Sequence, residues 1–230
     1  MGNLWRDRSR SRERTAELEN PFLDPAVAAH YEDWYVGPGA LADRLEKEVL
    51  RELLEGFPDA ETVLEVGCGT GHFARWLEQE GLTTVGIDIS APMLAEARRR
   101  GSEACVQASA SAPPFPARSF DMVVLMITLE FLPEPSRALE EAVRVARQGL
   151  LLGSLNRWSP YALRRRLHLS PVWRRARFFG LCELRRLLTN AAGRRAGDIR
   201  WSGTSWSLPF HARPLAIPYG DFIAMTARLT

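Results

Sequence analysis

Residues 62 to 72 of this chain read Thr-Val-Leu-Glu-Val-Gly-Cys-Gly-Thr-Gly-His, a short apolar strand that runs straight into a turn with glycine at every second position; helical spacing begins near Phe73. Few architectures accept that order. In an open α/β sheet a ligand lies beyond the carboxyl ends of the strands, near the point where the winding reverses, and glycines there let main chain approach it closely. The alternation continues downstream: strands are predicted over 62–66, 83–88, 104–108, 120–126 and 150–155, with helices over 73–80, 92–100 and 135–147. Strand followed by helix, repeated, is the pattern of a parallel sheet covered on both faces.

Ahead of that unit, Asp24 and Pro25 form an N-cap and first-turn pair for a helix carrying Val27, His30, Tyr31 and Trp34, which Gly37, Pro38 and Gly39 interrupt. A second helix carries Leu41, Leu45, Val49, Leu53 and Leu54 and stops at Gly56 and Pro58. The expected organisation is a flexible polar arm over 1–20, a helical cap over 21–58, and the main domain over 59–230 with a basic helical insertion at about 156–195. After Pro160 helix is expected through Asn190, and strands over 198–208 and 221–229 close the chain around a turn containing Pro209, Pro214, Pro218 and Gly220.

With 230 residues, 46% hydrophobic and 25% charged, the chain can bury one substantial core and does not have the composition of a wholly disordered protein. Three cysteines, Cys68, Cys105 and Cys182, give no disulfide framework, so a reducing, cytoplasmic setting is expected. The longest apolar stretches, 123–129 and 150–155, fall short of the ~20 residues that span a bilayer, and the first 20 residues contain no apolar signal-peptide core. The net charge of +2 conceals a gradient. Residues 151–230 hold 14 arginines against three acids, whereas residues 1–150 carry 16 basic and 25 acidic side chains. The basic end would concentrate an anionic partner around it without specifying which.

Spacing limits what the glycine turn can hold. A phosphate-binding P-loop requires four residues between its glycines and then Lys-Ser or Lys-Thr, and neither is present. A dinucleotide fingerprint requires glycine at the position of His72, whereas Gly71 falls one residue early. The remaining form, Glu65-x-Gly67-x-Gly69-x-Gly71, resembles motif I of the class I S-adenosylmethionine-dependent methyltransferases. The resemblance extends through Gly86-Ile87-Asp88-Ile89-Ser90, Pro92-Met93-Leu94, Pro114-Phe115, Ser119-Phe120-Asp121 and Leu129-Glu130-Phe131-Leu132-Pro133-Glu134-Pro135. It is strongest over about 62–155 and nearest to the ubiquinone-biosynthesis-like small-molecule branch. It implies a Rossmann-like, doubly wound, mostly parallel seven-stranded sheet with an antiparallel C-terminal strand. It also implies S-adenosylmethionine as cofactor and S-adenosylhomocysteine as product.

Asp88, at the end of the second predicted strand, can accept hydrogen bonds from both ribose hydroxyls of a bound nucleoside. By the resemblance, Glu65 supports the methionyl ammonium and the turn formed by Gly67, Cys68, Gly69 and Gly71 cradles the amino-acid tail. Ile89 and Met93 would flank adenine, with a plain core role open for Met93, and Met126 and Tyr31 complete the cofactor set. Ser109 and Ala110 stand where relatives commonly place an aspartate against the adenine amine. Phe131 stands where many relatives have histidine, which removes that base. Methyl transfer depends chiefly on orientation, worth roughly 7–11 kcal/mol, so a side-chain base is optional; Glu130, His30 and His168 are the candidates. No cluster of acids suited to a divalent metal stands out.

Residues 156–195 hold 11 arginines and one acid, Glu183. A small anionic or amphipathic acceptor is expected, with Arg157 and Tyr35 as its contacts. Two alternatives stay open at this level. The basic C-terminal third suits RNA methylation, although residues 126–129 read Met-Ile-Thr-Leu where a base-flipping enzyme carries an Asn-Pro-Pro-Tyr type motif. A catalytically silent cofactor-binding partner would retain the same glycine turn and Asp88.

Overall fold

Alternation of apolar side chains along the central strands decides how the molecule is layered. The computed structural model describes residues 20–167, 176–207 and 218–230. In β1 (Thr62–Val66) and β4 (Phe120–Met126), Val63, Met122 and Val124 join one hydrophobic cluster while Leu64, Val66, Val123 and Leu125 join another. Period-two alternation on a strand buried from both sides requires a layer on each face. Helices α3 (Ala40–Leu54) and α4 (His72–Gln79) supply one layer through Val49, Leu50, Leu53, Phe73, Trp76 and Leu77. Helices α6 (Pro135–Val145) and α8 (Leu181–Ala192) supply much of the other through Leu139, Ala142, Val143, Leu184 and Leu188.

The remaining strands are β2 (Thr83–Asp88), β3 (Cys105–Gln107), β5 (Ala146–Leu155), β6 (Ala196–Thr204) and β7 (Phe222–Leu229). The sheet has seven strands in the order β3-β2-β1-β4-β5-β7-β6. Pairs among β1 to β5 are parallel, and β7 lies antiparallel between β5 and β6. The winding reverses between β1 and β4, which puts the carboxyl ends of β1, β2 and β4 at one edge. This is the doubly wound, mostly parallel fold with an antiparallel C-terminal strand. Among the described residues no helix is long and apolar enough to cross a membrane.

Four boundaries differ from the sequence expectation, each for a tertiary reason. The first predicted helix is two short ones, α1 (Pro25–His30) and α2 (Asp33–Val36). Glu32 between them pairs with Arg75 at 2.6 Å and Arg100 at 3.2 Å, and the Tyr31 ring packs edge-on against Phe22 and Tyr35. Helix α6 ends at Val145 because Ala146 already pairs with Phe120, so β5 takes residues assigned to helix. Strand β6 ends at Thr204 because Asp221 gathers Ser205 Oγ, Trp206 N and Ser207 N into a turn at 2.8–2.9 Å. In the basic insertion, α7 (Pro160–Leu167) and α8 are separate helices; Arg177, Phe178 and Phe179 lead into the latter, and Asn156 bridges to Phe179. His168, Leu208, Pro209, Pro214 and the arm over 1–19 lie outside the described residues.

Candidate active site

The turn after β1 is built by main chain that the neighbouring strand holds. Gly67 N and Cys68 N both donate to Ile87 O, at 2.7 and 3.0 Å, and Gly69 N donates to Asp88 Oδ2 at 2.9 Å. Gly67 has φ +74°, and a Cβ there would come within 2.4 Å of the Thr128 side chain. Gly69 has φ +54° with nothing within 4 Å of where its Cβ would stand, so it faces open space. These two glycines border a cavity of about 960 Å³ at the carboxyl edge of the sheet.

Asp88 ends β2 in that cavity. Its Oδ1 accepts from Ser90 N at 2.8 Å while Oδ2 holds Gly69 N, and burial raises its carboxyl above the usual range. Ile89, Met93, Ser109, Ala110, Met126 and Tyr31 line the same space. Met93 is also buried at the start of α5 (Ala91–Arg99), where its N–H is capped by Ser90 Oγ at 3.1 Å. Glu65, near the end of β1, is 1% exposed and is not among the residues that line the cavity. A main-chain bond from Ala74 serves it, its Oε2 has no hydrogen-bond partner among the described residues, and burial pushes its pKa up to about 8.

Several sequence candidates fall elsewhere. Cys68 turns its thiol into a small cluster with Leu94, Ala97 and Cys105, and burial raises it, so only its main chain shapes the turn. Gly71 caps α4, and its missing Cβ makes room for Ser102, 2.3 Å from where that atom would be. Tyr35 is stacked on His72 with ring centroids 3.7 Å apart and interacts with Tyr31; it backs the cavity wall without lining it. His30 is exposed, paired with Asp33 at 3.0 Å, and does not line the cavity. Arg157 is bonded to Glu183 at 2.9 Å and does not line the cavity, because α8 offers that acid as its nearest partner. Glu130 does line it.

Other residues were not singled out from sequence. Thr128 Oγ1 sits 3.0 Å from Val66 O and closes the space above Gly67. Ile127, a β-branched residue with φ +50°, holds a strained bend at the end of β4, its N–H bonded to Gly153 O at 2.8 Å. Asn20, Pro21 and Phe22 form a strap along the cavity; Phe22 O accepts from Ser90 Oγ at 2.6 Å, and its ring meets Phe131 edge-on at 4.9 Å. Arg137 and Arg177 stand in the lining. A one-residue cue existed only for Phe131; the strap and the bend depend on contacts distant in sequence.

Comparison with known proteins agrees with this geometry. A family model described as a methyltransferase domain matches residues 64–152. An uncharacterised protein of Mycobacterium tuberculosis is 37% identical over 174 residues, covering 73% of this chain and 58% of that protein. A phosphatidylethanolamine N-methyltransferase of Cereibacter sphaeroides is 33% identical over 131 residues, covering 54% of this chain and 64% of the relative. The chain thus spans under two thirds of the length of these relatives. A Thermotoga maritima crystal structure, described as an S-adenosylmethionine-dependent methyltransferase and possible histamine N-methyltransferase, superposes with TM-score 0.76 at 25% identity, covering 90% of this chain and 97% of that one.

Proposed function

The chain belongs to the class I S-adenosylmethionine-dependent methyltransferases, with that molecule as cofactor, and from this premise we propose that it methylates a small amphipathic molecule received between Tyr31, Phe131 and Arg177. The observation that carries the reading is the pair of carboxyls around the glycine turn. Glu65 has a buried oxygen without a donor, and Asp88 already organises the turn through Gly69. A ligand bearing an ammonium and ribose hydroxyls supplies donors to both. One bearing a pyrophosphate would bring no ammonium to Glu65 and would set its charge against Asp88.

Asp88 would hold the ribose, Ile89 and Met93 the faces of adenine, and Ser109 and Ala110 its edge. Glu65 would stand under the ammonium, with the main chain of Gly67 and Gly69 along the amino-acid tail. When bound, the cofactor supplies an electrophilic methyl on a sulfonium. The chain's own contribution is orientation and exclusion of water: Tyr31, Phe22 and Phe131 form an aromatic collar with T-shaped contacts at 4.9–5.9 Å, and the strap of residues 20–22 covers one side. Part of the same proposal is that residues 21–58 act as a cap and that the insertion at about 156–195 selects the acceptor. Among the described residues, the arginines of the lining, Arg137 and Arg177, and Arg157 outside it are each paired with an acid, which supports an amphipathic acceptor over a purely anionic one. Three free cysteines support a cytoplasmic setting.

Calorimetry with S-adenosylmethionine, S-adenosylhomocysteine and a nicotinamide dinucleotide tests the site. Binding of the first two alone is expected, and preference for the dinucleotide overturns the reading. Transfer of label from the cofactor into a metabolite extract, and not into RNA, is the matching activity result.

A further inference from the structure

The inner wall of the cavity contains a carboxyl that the fold leaves half used. Glu130 lies in the single turn Leu129–Phe131 after β4, is 1% exposed, and lines the cavity. Its Oε1 accepts from Ser154 Oγ at 2.7 Å and from Leu155 N at 2.8 Å, both on β5. Two bonds to one oxygen fix the carboxyl while Oε2 stays buried and, among the described residues, without a hydrogen-bond partner. A buried carboxylate oxygen in that condition is unfavourable unless something that enters the cavity brings a donor.

Among the described residues, the two arginines that line the cavity are committed elsewhere. Arg177 gives its main-chain N–H to Glu130 O at 2.8 Å, but its guanidinium pairs with Glu183 and lies over the Phe179 ring. Arg137 pairs with Glu140 and Glu141. Glu46 of α3 brings no cation either: it is fully buried, neither of its oxygens has a partner among the described residues, and burial, with the Glu130 charge, holds its carboxyl well above the usual range. Among the described residues, then, neither arginine of the lining neutralises Glu130 Oε2, while the rings of Phe22, Tyr31 and Phe131 beside it offer apolar and π surface.

We propose that Glu130 Oε2 receives a protonated nitrogen of the methyl acceptor, which makes the acceptor a small amine whose apolar body rests among Phe22, Tyr31 and Phe131. The proposal rests on the methyltransferase reading, which makes this end of the cavity the acceptor side. A hydroxyl would satisfy Oε2 without relieving the charge, and a carboxylate would set a second acid against Glu130. Burial pushes the Glu130 pKa up to about 7; a cation docked on Oε2 would return the group toward the ordinary carboxylate range, and the same oxygen can accept the proton that an amine loses before it becomes nucleophilic.

The test is binding, on the full chain saturated with S-adenosylhomocysteine. A matched set of fragments, each apolar body carrying an ammonium, a hydroxyl or a carboxylate, is titrated by calorimetry or ligand-detected NMR. The amines are expected to bind preferentially. Glu130→Gln keeps an oxygen for Ser154 and Leu155 and replaces Oε2 by a donor, so amine affinity should fall about tenfold or more while affinity for S-adenosylhomocysteine is kept. Equal or tighter binding of the hydroxyl or carboxylate series, no binding of any amine, or unchanged amine affinity in Glu130→Gln overturns the proposal and leaves the methyltransferase reading standing. Failure of S-adenosylhomocysteine itself to bind overturns that reading, and this one with it. If circular dichroism shows Glu130→Gln unfolded, the order of fragment affinities in the unsubstituted protein decides.

Discussion

Asp88 does two things with one carboxyl: it bonds Gly69 N and Ser90 N, shaping both sides of the turn, and it turns the rest of its lone pairs to the cavity. Asp88→Ala is expected to weaken S-adenosylhomocysteine binding by about 1.5–3 kcal/mol, the value of hydrogen bonds to a charged group; unchanged affinity by calorimetry would remove Asp88 from the site. The glycines beside it separate two causes. Gly67→Ala meets a left-handed φ of +74° and the Thr128 side chain at 2.4 Å, whereas Gly69→Ala at φ +54° meets only the first difficulty. The backbone cost is about 1–2 kcal/mol at each, and overpacking adds about 1–3 kcal/mol at Gly67 alone. Urea unfolding should therefore rank Gly67→Ala well below Gly69→Ala, and equal losses would contradict the packing account.

Elements place charges that composition alone misassigns. Arg157 is the first arginine after β5 in sequence, yet α8 puts Glu183 within 2.9 Å of it and its ring neighbour Trp158 lies under the guanidinium at 5.9 Å. Arg157→Ala should cost less than ~1 kcal/mol of stability, as a partly exposed ion pair does, and leave S-adenosylhomocysteine affinity unchanged. A marked rise in the Michaelis constant for the acceptor with an unaltered melting curve would return Arg157 to the site. Helix α3 shows the converse. Its buried stripe of Ala42, Leu45, Val49, Leu50 and Leu53 also contains Glu46, a carboxyl at a position that the i, i+4 pattern reserves for apolar residues.

At the scale of the whole molecule, the buried carboxyls make stability depend on pH. Glu65 and Glu130 ionise near 4.5 in the unfolded chain and at about 8 and about 7 when folded, both through burial. Between those values the folded state holds protons that the unfolded state has lost, so their stabilisation is complete below pH ~4.5 and is lost as pH rises through the folded values. Asp43, Glu80, Glu96 and Asp121 are held below their ordinary values, so their opposite contribution is already full above pH ~5 and is lost only on further acidification. Without ligand, the unfolding free energy should fall between pH 5 and 8 by up to about 1 kcal/mol per pH unit for each carboxyl, measured by urea titration. Glu65→Gln should flatten the curve. Binding of S-adenosylhomocysteine at pH 7 should release a proton from Glu65, seen as a dependence of the calorimetric heat on buffer ionisation enthalpy. A stability profile that rises over this range would refute the assignment.

Residue order alone determined the parallel core, because a period of two along the strands and of about 3.6 along the helices is a local property that burial on both faces then obeys. It also determined the glycine turn and Asp88, which lie within one strand-turn-helix unit and its neighbour. The division between α1 and α2, the early start of β5 and the end of β6 at the Asp221 turn were decided by partners far along the chain, Arg75 for Glu32 and Phe120 for Ala146 among them. The same holds for the chemistry. Whether an arginine faces a ligand or an acid, and whether a glutamate is solvated like an ordinary surface group or sealed like Glu130 with one oxygen unused, follows from which side chains the fold brings within a few ångströms. Desolvation and pairing depend on three-dimensional neighbours, and those only the tertiary structure supplies.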